Sequence, residues 1–235
     1  MNKLIVVTGG TKGIGRSIIE KFAAEGFDIV TCSRDITQLK KLKEAINKAY
    51  PLVEIFFKES DLSDRKQVKM FCEFVLTLKR PLDVLVNNAG YFIGGELVSE
   101  PEGTLETMIN VNLYSAYNTT RGLIGSMIEK KTGHIFNMCS IASFMAYPNG
   151  GSYAISKFAL LGFSKCLRAE LQESGIRVTA VMPGATLTES WAGTNLPDER
   201  FMKPEDIADT VFSVYALSGR SVVEEIIIRP QFGDL

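Results

Sequence analysis

The chain has 235 residues, 46% of them hydrophobic and 23% charged, and its 26 basic and 27 acidic side chains leave a net charge of -1. Such a balance gives no basic excess for binding nucleic acid or an anionic membrane surface, and no apolar run approaches the ~20 residues that span a bilayer. The length suits one large domain with a substantial core, so residues 1–235 are expected to form a single unit.

The elements alternate along the chain. Short apolar runs at Lys3–Thr8, Phe27–Cys32, Val53–Lys58, Leu82–Val86, His134–Met138, Ile176–Val181 and Val222–Arg229 read as buried strands. Amphipathic stretches at Ile14–Glu25, Ile36–Ala49, Asp64–Lys79, Gly103–Lys130, Tyr153–Glu173 and Pro204–Leu217 read as helices. Strands separated by helices pair in parallel through right-handed crossovers. The expected fold class is therefore α/β, a Rossmann-type doubly wound parallel sheet of about seven strands flanked by helices.

Met1-Asn2-Lys3 leads straight into Leu4-Ile5-Val6-Val7, without the charged region and cleavage site of a secretory leader. Cys32, Cys72, Cys139 and Cys166 form no C-x-x-C pair, so free thiols in a reducing cytoplasm are expected and no metal site is. The single histidine, His134, opens an apparent strand and is assigned a structural role. A Ser-His-Asp mechanism could run only through that residue.

Ligands of such sheets bind beyond the carboxyl ends of the strands. Thr8-Gly9-Gly10, Asn87-Asn88-Ala89-Gly90, Ser140 and Pro183-Gly184 each fall just past an expected strand. In Gly9-Gly10-Thr11-Lys12-Gly13-Ile14-Gly15 the glycines allow a sharp turn and close approach of the backbone to a ligand. The following helix start offers free N–H groups to a pyrophosphate. The spacing is G-x-x-x-G-x-G rather than the general G-x-G-x-x-G.

The end of the second strand distinguishes the dinucleotides. A carboxylate there suits the ribose 2′-hydroxyl of NAD. The chain instead has Ser33 and Arg34, a guanidinium suited to a 2′-phosphate, with Lys12 as a second cation. NADP(H) is thus expected over NAD(H), although Asp35 would bring a carboxylate nearer if the chain shifted by one residue.

Tyr153 and Lys157 stand one helical turn apart in Tyr153-Ala154-Ile155-Ser156-Lys157. A tyrosine ionises near about 10, and an adjacent ammonium lowers that value. Residues at i and i+4 share a helix face, so the pair reads as a tuned acid/base.

These residues together resemble the short-chain dehydrogenase/reductase family over the first strand to about Ile207. The match comprises the T-G-x-x-x-G-x-G loop at Thr8–Gly15, Asp61-Leu62, N-N-A-G at Asn87–Gly90, Asn112, Ser140, Tyr153-x-x-x-Lys157 and Pro183-Gly184. The resemblance implies that Tyr153 exchanges a proton with the carbonyl or alcohol oxygen and that Ser140 orients that oxygen. Lys157 would lower the Tyr153 pKa and bind the nicotinamide ribose, and Asn112 would hold a relay water. Gly9, Thr11, Lys12, Gly13, Ile14 and Gly15 would cradle the phosphates. Asp61 and Leu62 would border the adenine, and Asn88, Ala89 and Gly90 the adenosine ribose. Pro183, Gly184, Thr186 and Thr188 would flank the nicotinamide end. Taken singly, Ser140 is equally a strand-end cap, Asn112 a helix-interior polar group and Tyr153-Lys157 a surface pair.

The implied activity is NADPH-dependent interconversion of a carbonyl and an alcohol. A catalytically silent NADP(H)-sensing regulatory protein is the alternative on the same fold. The expected pocket wall is Tyr91-Phe92-Ile93, Ile141–Gly151 and a lid at 186–201; Phe144, Met145, Tyr147 and Trp191 either enclose a small to medium apolar ketone or aldehyde or equally pack the lid against the body. Asn149-Gly150-Gly151 is similar to 3-oxoacyl-acyl-carrier-protein reductases, which would make an acyl carrier protein a partner. His134 stands where that group often has arginine, and the end Arg229–Leu235 lacks the common V-D-G-G. Relatives assemble as homodimers or homotetramers through the two long helices, here near Thr104–Lys130 and Tyr153–Glu173, and the last strand.

Overall fold

In the computed structural model, which describes residues 1–191 and 193–235, strand β1 (Leu4–Thr8) is buried along its whole length. It lies in the interior of a parallel sheet with β2 (Asp28–Ser33), β3 (Ile55–Glu59), β4 (Val84–Asn87), β5 (Gly133–Met138), β6 (Ile176–Pro183) and β7 (Glu225–Ile228). The order is β3-β2-β1-β4-β5-β6-β7, the doubly wound arrangement expected.

Alternate residues of a strand face opposite sides, and β1 divides accordingly. Ile5 and Val7 join a core with Ile18, Ile19 and Phe22 of α1 (Gly13–Ala24), Leu42 and Ile46 of α2 (Ile36–Ala49), and Ile207 and Val211 of α8 (Pro204–Tyr215). Leu4 and Val6 join the other, with Phe71 and Val75 of α3 (Arg65–Thr77), Leu123 of α5 (Ser115–Leu123), Met127 of α6 (Gly125–Lys130) and Leu171 of α7 (Gly151–Leu171). Both faces of the strands are thus covered, which explains their continuous apolar runs.

The sequence pattern predicts one helix over Gly103–Lys130. The structure has instead α4 (Thr104–Ile109), a π-helical turn at Asn110–Tyr114, then α5 and α6 separated at Ile124. The wider turn accompanies cross-links made by Asn112, which accepts from Tyr91 N at 3.0 Å and donates to Ser156 Oγ at 2.9 Å. Gly122 and Gly125 on either side of Ile124 weaken the helix there. Strand β7 is shorter than Val222–Arg229, and Pro230 follows without an N–H to continue the ladder.

At the amino-terminal end of β2, Asp28 is an anchor at 3% exposure. It accepts from Asn2 Nδ2 at 3.0 Å, Glu54 N at 2.7 Å and the Arg80 guanidinium at 2.7 Å. His134 is a core residue: its Nε2 lies 2.8 Å from Thr179 Oγ1 and its ring stacks on Phe136 at 3.9 Å. Burial pushes its pKa down to about 2, so the ring is neutral.

Candidate active site

Because all seven strands are parallel, the segments following β1, β4, β5 and β6 emerge at one edge. They wall a cavity of about 680 Å³. Gly9, Thr11, Lys12, Gly13, Ile14 and Gly15 line it from the glycine loop, and Ser33 and Arg34 from the end of β2. Asp61 and Leu62, then Asn88, Ala89 and Gly90, continue the wall. Ser140, Tyr153 and Lys157 occupy the far corner with Pro183, Gly184, Thr186 and Thr188. Asn112 is the one predicted site residue that does not line the cavity. It is 1% exposed and lies behind Gly90, where an added Cβ would come within 2.8 Å of its Oδ1 and 3.6 Å of Lys157 Nζ.

The glycine loop is shaped by contacts that a side chain would break. A Cβ on Gly15 would fall 2.4 Å from Asn88 Nδ2 and 2.6 Å from the Gly9 carbonyl. Gly13 holds φ +54° against Thr188, a conformation that favours glycine. Asn88 Nδ2 donates to the carbonyls of Thr8 at 2.9 Å and Gly9 at 3.1 Å, while Thr8 Oγ1 accepts from the amides of Asn88 and Ala89, both at 3.0 Å. The N-N-A-G run therefore braces the loop against β4. Lys12, the residue before α1, gives that helix no side-chain cap, so its first amides remain available to an anion in the cavity.

Asp35 is committed elsewhere: its carboxylate caps α2, accepting from Thr37 N at 2.8 Å and Gln38 N at 3.2 Å. The cavity is lined by Arg34 and not by Asp35. Ser33 Oγ accepts from Thr11 Oγ1 at 3.4 Å, joining the β2 end to the glycine loop. Lys12 lines the same cavity as Arg34, and its ammonium pairs with Glu189 of the 186–201 segment. Both partners are well exposed, so the pair is weak and leaves the lysine free to turn toward an anion.

At the other corner, Ser140 has extended backbone and accepts from Ala142 N at 3.2 Å, while its own amide donates to Ser143 Oγ at 3.2 Å. The Tyr153 ring meets the edge of Phe92 at 4.9 Å. Burial pushes the Tyr153 phenol up to about 12; the Ser140 hydroxyl opposes this, and Tyr147 and Cys139 add to it. The expected lowering of the Tyr153 pKa by Lys157 is therefore not what the site displays. Lys157 donates to the Met138 carbonyl at 2.7 Å, and burial lowers its own pKa to about 8. Desolvation penalises the charged forms of both side chains.

Three features were not legible from motifs. Phe92 packs on Tyr153, Ser156 receives the Asn112 amide, and the tail residues Asp234 and Leu235 line the cavity. The tail turns back through Gly233 N donating to Pro230 O at 3.0 Å, and Arg229 pairs with Asp234. Pro230 and Gly233 are turn-forming residue types, but no local pattern directs that turn toward Gly184.

The short chain dehydrogenase family model matches residues 3–198. A sepiapterin reductase of Chlorobaculum tepidum is 33% identical over 100% of this chain and 99% of its own length. An alcohol dehydrogenase from the archaeon Thermococcus sibiricus, solved with 5-hydroxy-NADP, superposes with a TM-score of 0.93 at 27% identity, covering 100% of this chain and 99% of that one. A metagenomic short-chain oxidoreductase solved with NADP gives a TM-score of 0.84 at 31% identity, with 97% of each chain covered.

Proposed function

This chain belongs to the short-chain dehydrogenase family, and from that membership we propose that it is an NADP(H)-dependent oxidoreductase interconverting a carbonyl compound and its alcohol. The observation that carries the reading is the arrangement of one cavity, with Arg34 at one end and Ser140, Tyr153 and Lys157 at the other.

The residues fit the cofactor. The space over Gly13 and Gly15 admits a pyrophosphate beside the uncapped start of α1. Arg34 supplies the guanidinium for a 2′-phosphate, and the carboxylate that would select a free 2′-hydroxyl is turned into the α2 cap. The NADP found in two of the similar structures supports the same choice. NADPH, when bound, supplies the hydride.

The chain's own groups then handle the oxygen. Tyr153, held neutral by burial, is the proton donor for carbonyl reduction. Ser140 presents a second hydroxyl to the same oxygen, so charge that develops there meets two donors. Lys157 places a cation within the Tyr153 helix turn to favour transient phenolate character, and its Nζ, near Gly90, would hold the nicotinamide ribose. Asn112, braced by Tyr91 and Ser156, backs that cation as the start of a proton relay.

The substrate end is bounded by Phe92, Tyr147 and Trp191, which supports a small to medium apolar or aromatic ketone or aldehyde. The 186–201 segment acts as the lid: Thr186 bridges to Met202, and Trp191 packs on Phe201 at 5.3 Å. Exposed Tyr114, Ile155 and Phe158 on the 110–114 turn and α7 support homo-oligomerisation through these helices. NADPH oxidation measured against sepiapterin, simple ketones, aldehydes, quinones and acetoacetyl thioesters tests the proposal. Turnover of at least one carbonyl is expected, whereas tight NADPH binding with no turnover across the panel would overturn it.

A further inference from the structure

The helix that carries Tyr153 begins without a cap of its own. Gly150 precedes α7 and offers no side chain to its first amides. Glu100, 52 residues earlier in the chain, fills that role from the end of the loop after β4. One of its carboxylate oxygens accepts from Ser152 N at 3.2 Å, and the other accepts from the Ser152 hydroxyl. Ser152 is 0% exposed, so without Glu100 two buried donors would lack this acceptor.

The same loop grips the helix start twice more. Gly95 N donates to the Asn149 carbonyl at 3.1 Å, and Phe92 packs edge-on against the Tyr153 ring. The fit depends on Gly151, at φ +39°: a Cβ there would come within 2.5 Å of the Gly95 carbonyl and 2.8 Å of Glu100 Oε2. A carboxylate is also the favourable charge for this end of a helix dipole.

Tyr153 is the residue after Ser152 and lies in the first turn, where an uncapped helix frays. A reacting hydroxyl must be held within roughly 0.5 Å of its productive place. We propose that Glu100 is a positioning residue for the reaction: by capping α7 from another segment, it fixes the first helical turn and hence the Tyr153 hydroxyl. This rests on the reading of Tyr153 as the proton donor.

The test compares Glu100→Ala and Glu100→Gln with the parent protein by kcat, by NADPH affinity and by amide exchange of residues 150–157 without cofactor. Glu100→Ala is expected to lower kcat about tenfold or more, since displacement by ~1 Å can cost far more than a contact. NADPH affinity should stay within about twofold, because the cradle residues are untouched. Exchange across 150–157 should accelerate about tenfold as the cap is lost. Glu100→Gln keeps one acceptor oxygen and should return kcat to within about threefold of the parent. A Glu100→Ala kcat within about twofold of the parent, or an equal loss of NADPH affinity, would overturn the proposal, as would a Glu100→Gln variant as impaired as Glu100→Ala. If Glu100→Ala does not fold, Ser152→Ala decides: about threefold lower kcat with faster local exchange supports the cap, and an unchanged kcat refutes it. Amide exchange requires no substrate. A protein that reduced no carbonyl would thus fail the functional reading, while exchange still decided whether Glu100 holds the turn.

Discussion

The Lys157 ammonium stands 5.7 Å from the centre of the Tyr153 ring while donating to the Met138 carbonyl at 2.7 Å. One helical turn separates the two residues, yet β5 takes the lysine's hydrogen bond. Lys157 is thereby anchored at the carboxyl edge of the sheet, beside Gly90 and Asn112.

Tyr153→Phe removes the only hydroxyl of that side chain and little of its packing against Phe92. Steady-state assays should give a kcat lowered by roughly 10²–10⁴-fold, the usual contribution of positioned proton transfer. NADPH affinity, read by fluorescence, should remain close to that of the parent. An active Tyr153→Phe enzyme would refute the assigned role.

Lys157 also makes stability depend on pH. Its pKa in the fold is about 8, against an ordinary 10.5. Between these values the unfolded chain holds a proton that the folded chain has released, so this contribution to stability rises with pH. Tyr153 acts oppositely at higher pH: its folded pKa of about 12 exceeds the ordinary 10.0, so stability falls once pH passes that lower value. From pH 7.5 to 10, the parent should therefore gain roughly 2–3 kcal/mol relative to Lys157→Met in chemical denaturation. Parallel curves for the two proteins would contradict the buried setting of Lys157.

Arg34→Ala separates the cofactors. A charge-assisted hydrogen bond to phosphate contributes about 1.5–3 kcal/mol, so the KM for NADPH should rise about 10–100-fold. The KM for NADH should change by less than about threefold, because Arg34 has no 2′-phosphate to meet there. Equal effects on both would remove Arg34 from the recognition of the 2′-phosphate.

Asp28→Ala addresses the fold away from the cavity. Arg80 and Asp28 are both nearly inaccessible, at 7% and 4% side-chain exposure. Removing Asp28 takes the nearest carboxylate from a buried guanidinium that keeps the exposed Glu54 at 3.6 Å and the Asn2 carbonyl at 2.7 Å, a cost of about 1–3 kcal/mol. Urea denaturation should show a loss of that order with retained secondary structure; a loss below about 1 kcal/mol would mean that solvent reaches Arg80.

Much of this site could be read from spacing. The run Thr8–Gly15 had to turn from a strand into a helix close to a ligand, and Arg34 stood at a strand end whatever its neighbours were. Asp35 was ambiguous because one residue of register separates a helix cap from a ribose contact. The pairing of Lys12 with Glu189 is invisible in the sequence because the two lie 177 residues apart. The Gly103–Lys130 helix was expected unbroken because its amphipathic period continues through the π turn at Asn110–Tyr114.

Sequence by itself determined the alternation of buried strands and amphipathic helices, the loops at the sheet's carboxyl edge, and the chemical types placed there. These follow from backbone periodicity and residue chemistry, which are local. Only the tertiary structure decided that Asn112 stands behind Gly90, that Lys157 bonds Met138, that Glu100 caps the Tyr153 helix and that the tail reaches the cavity. Those outcomes join residues far apart in the chain, and burial sets their charge states. Desolvation, which holds Tyr153 neutral and weakens the charge on Lys157, exists only once the surrounding segments have packed.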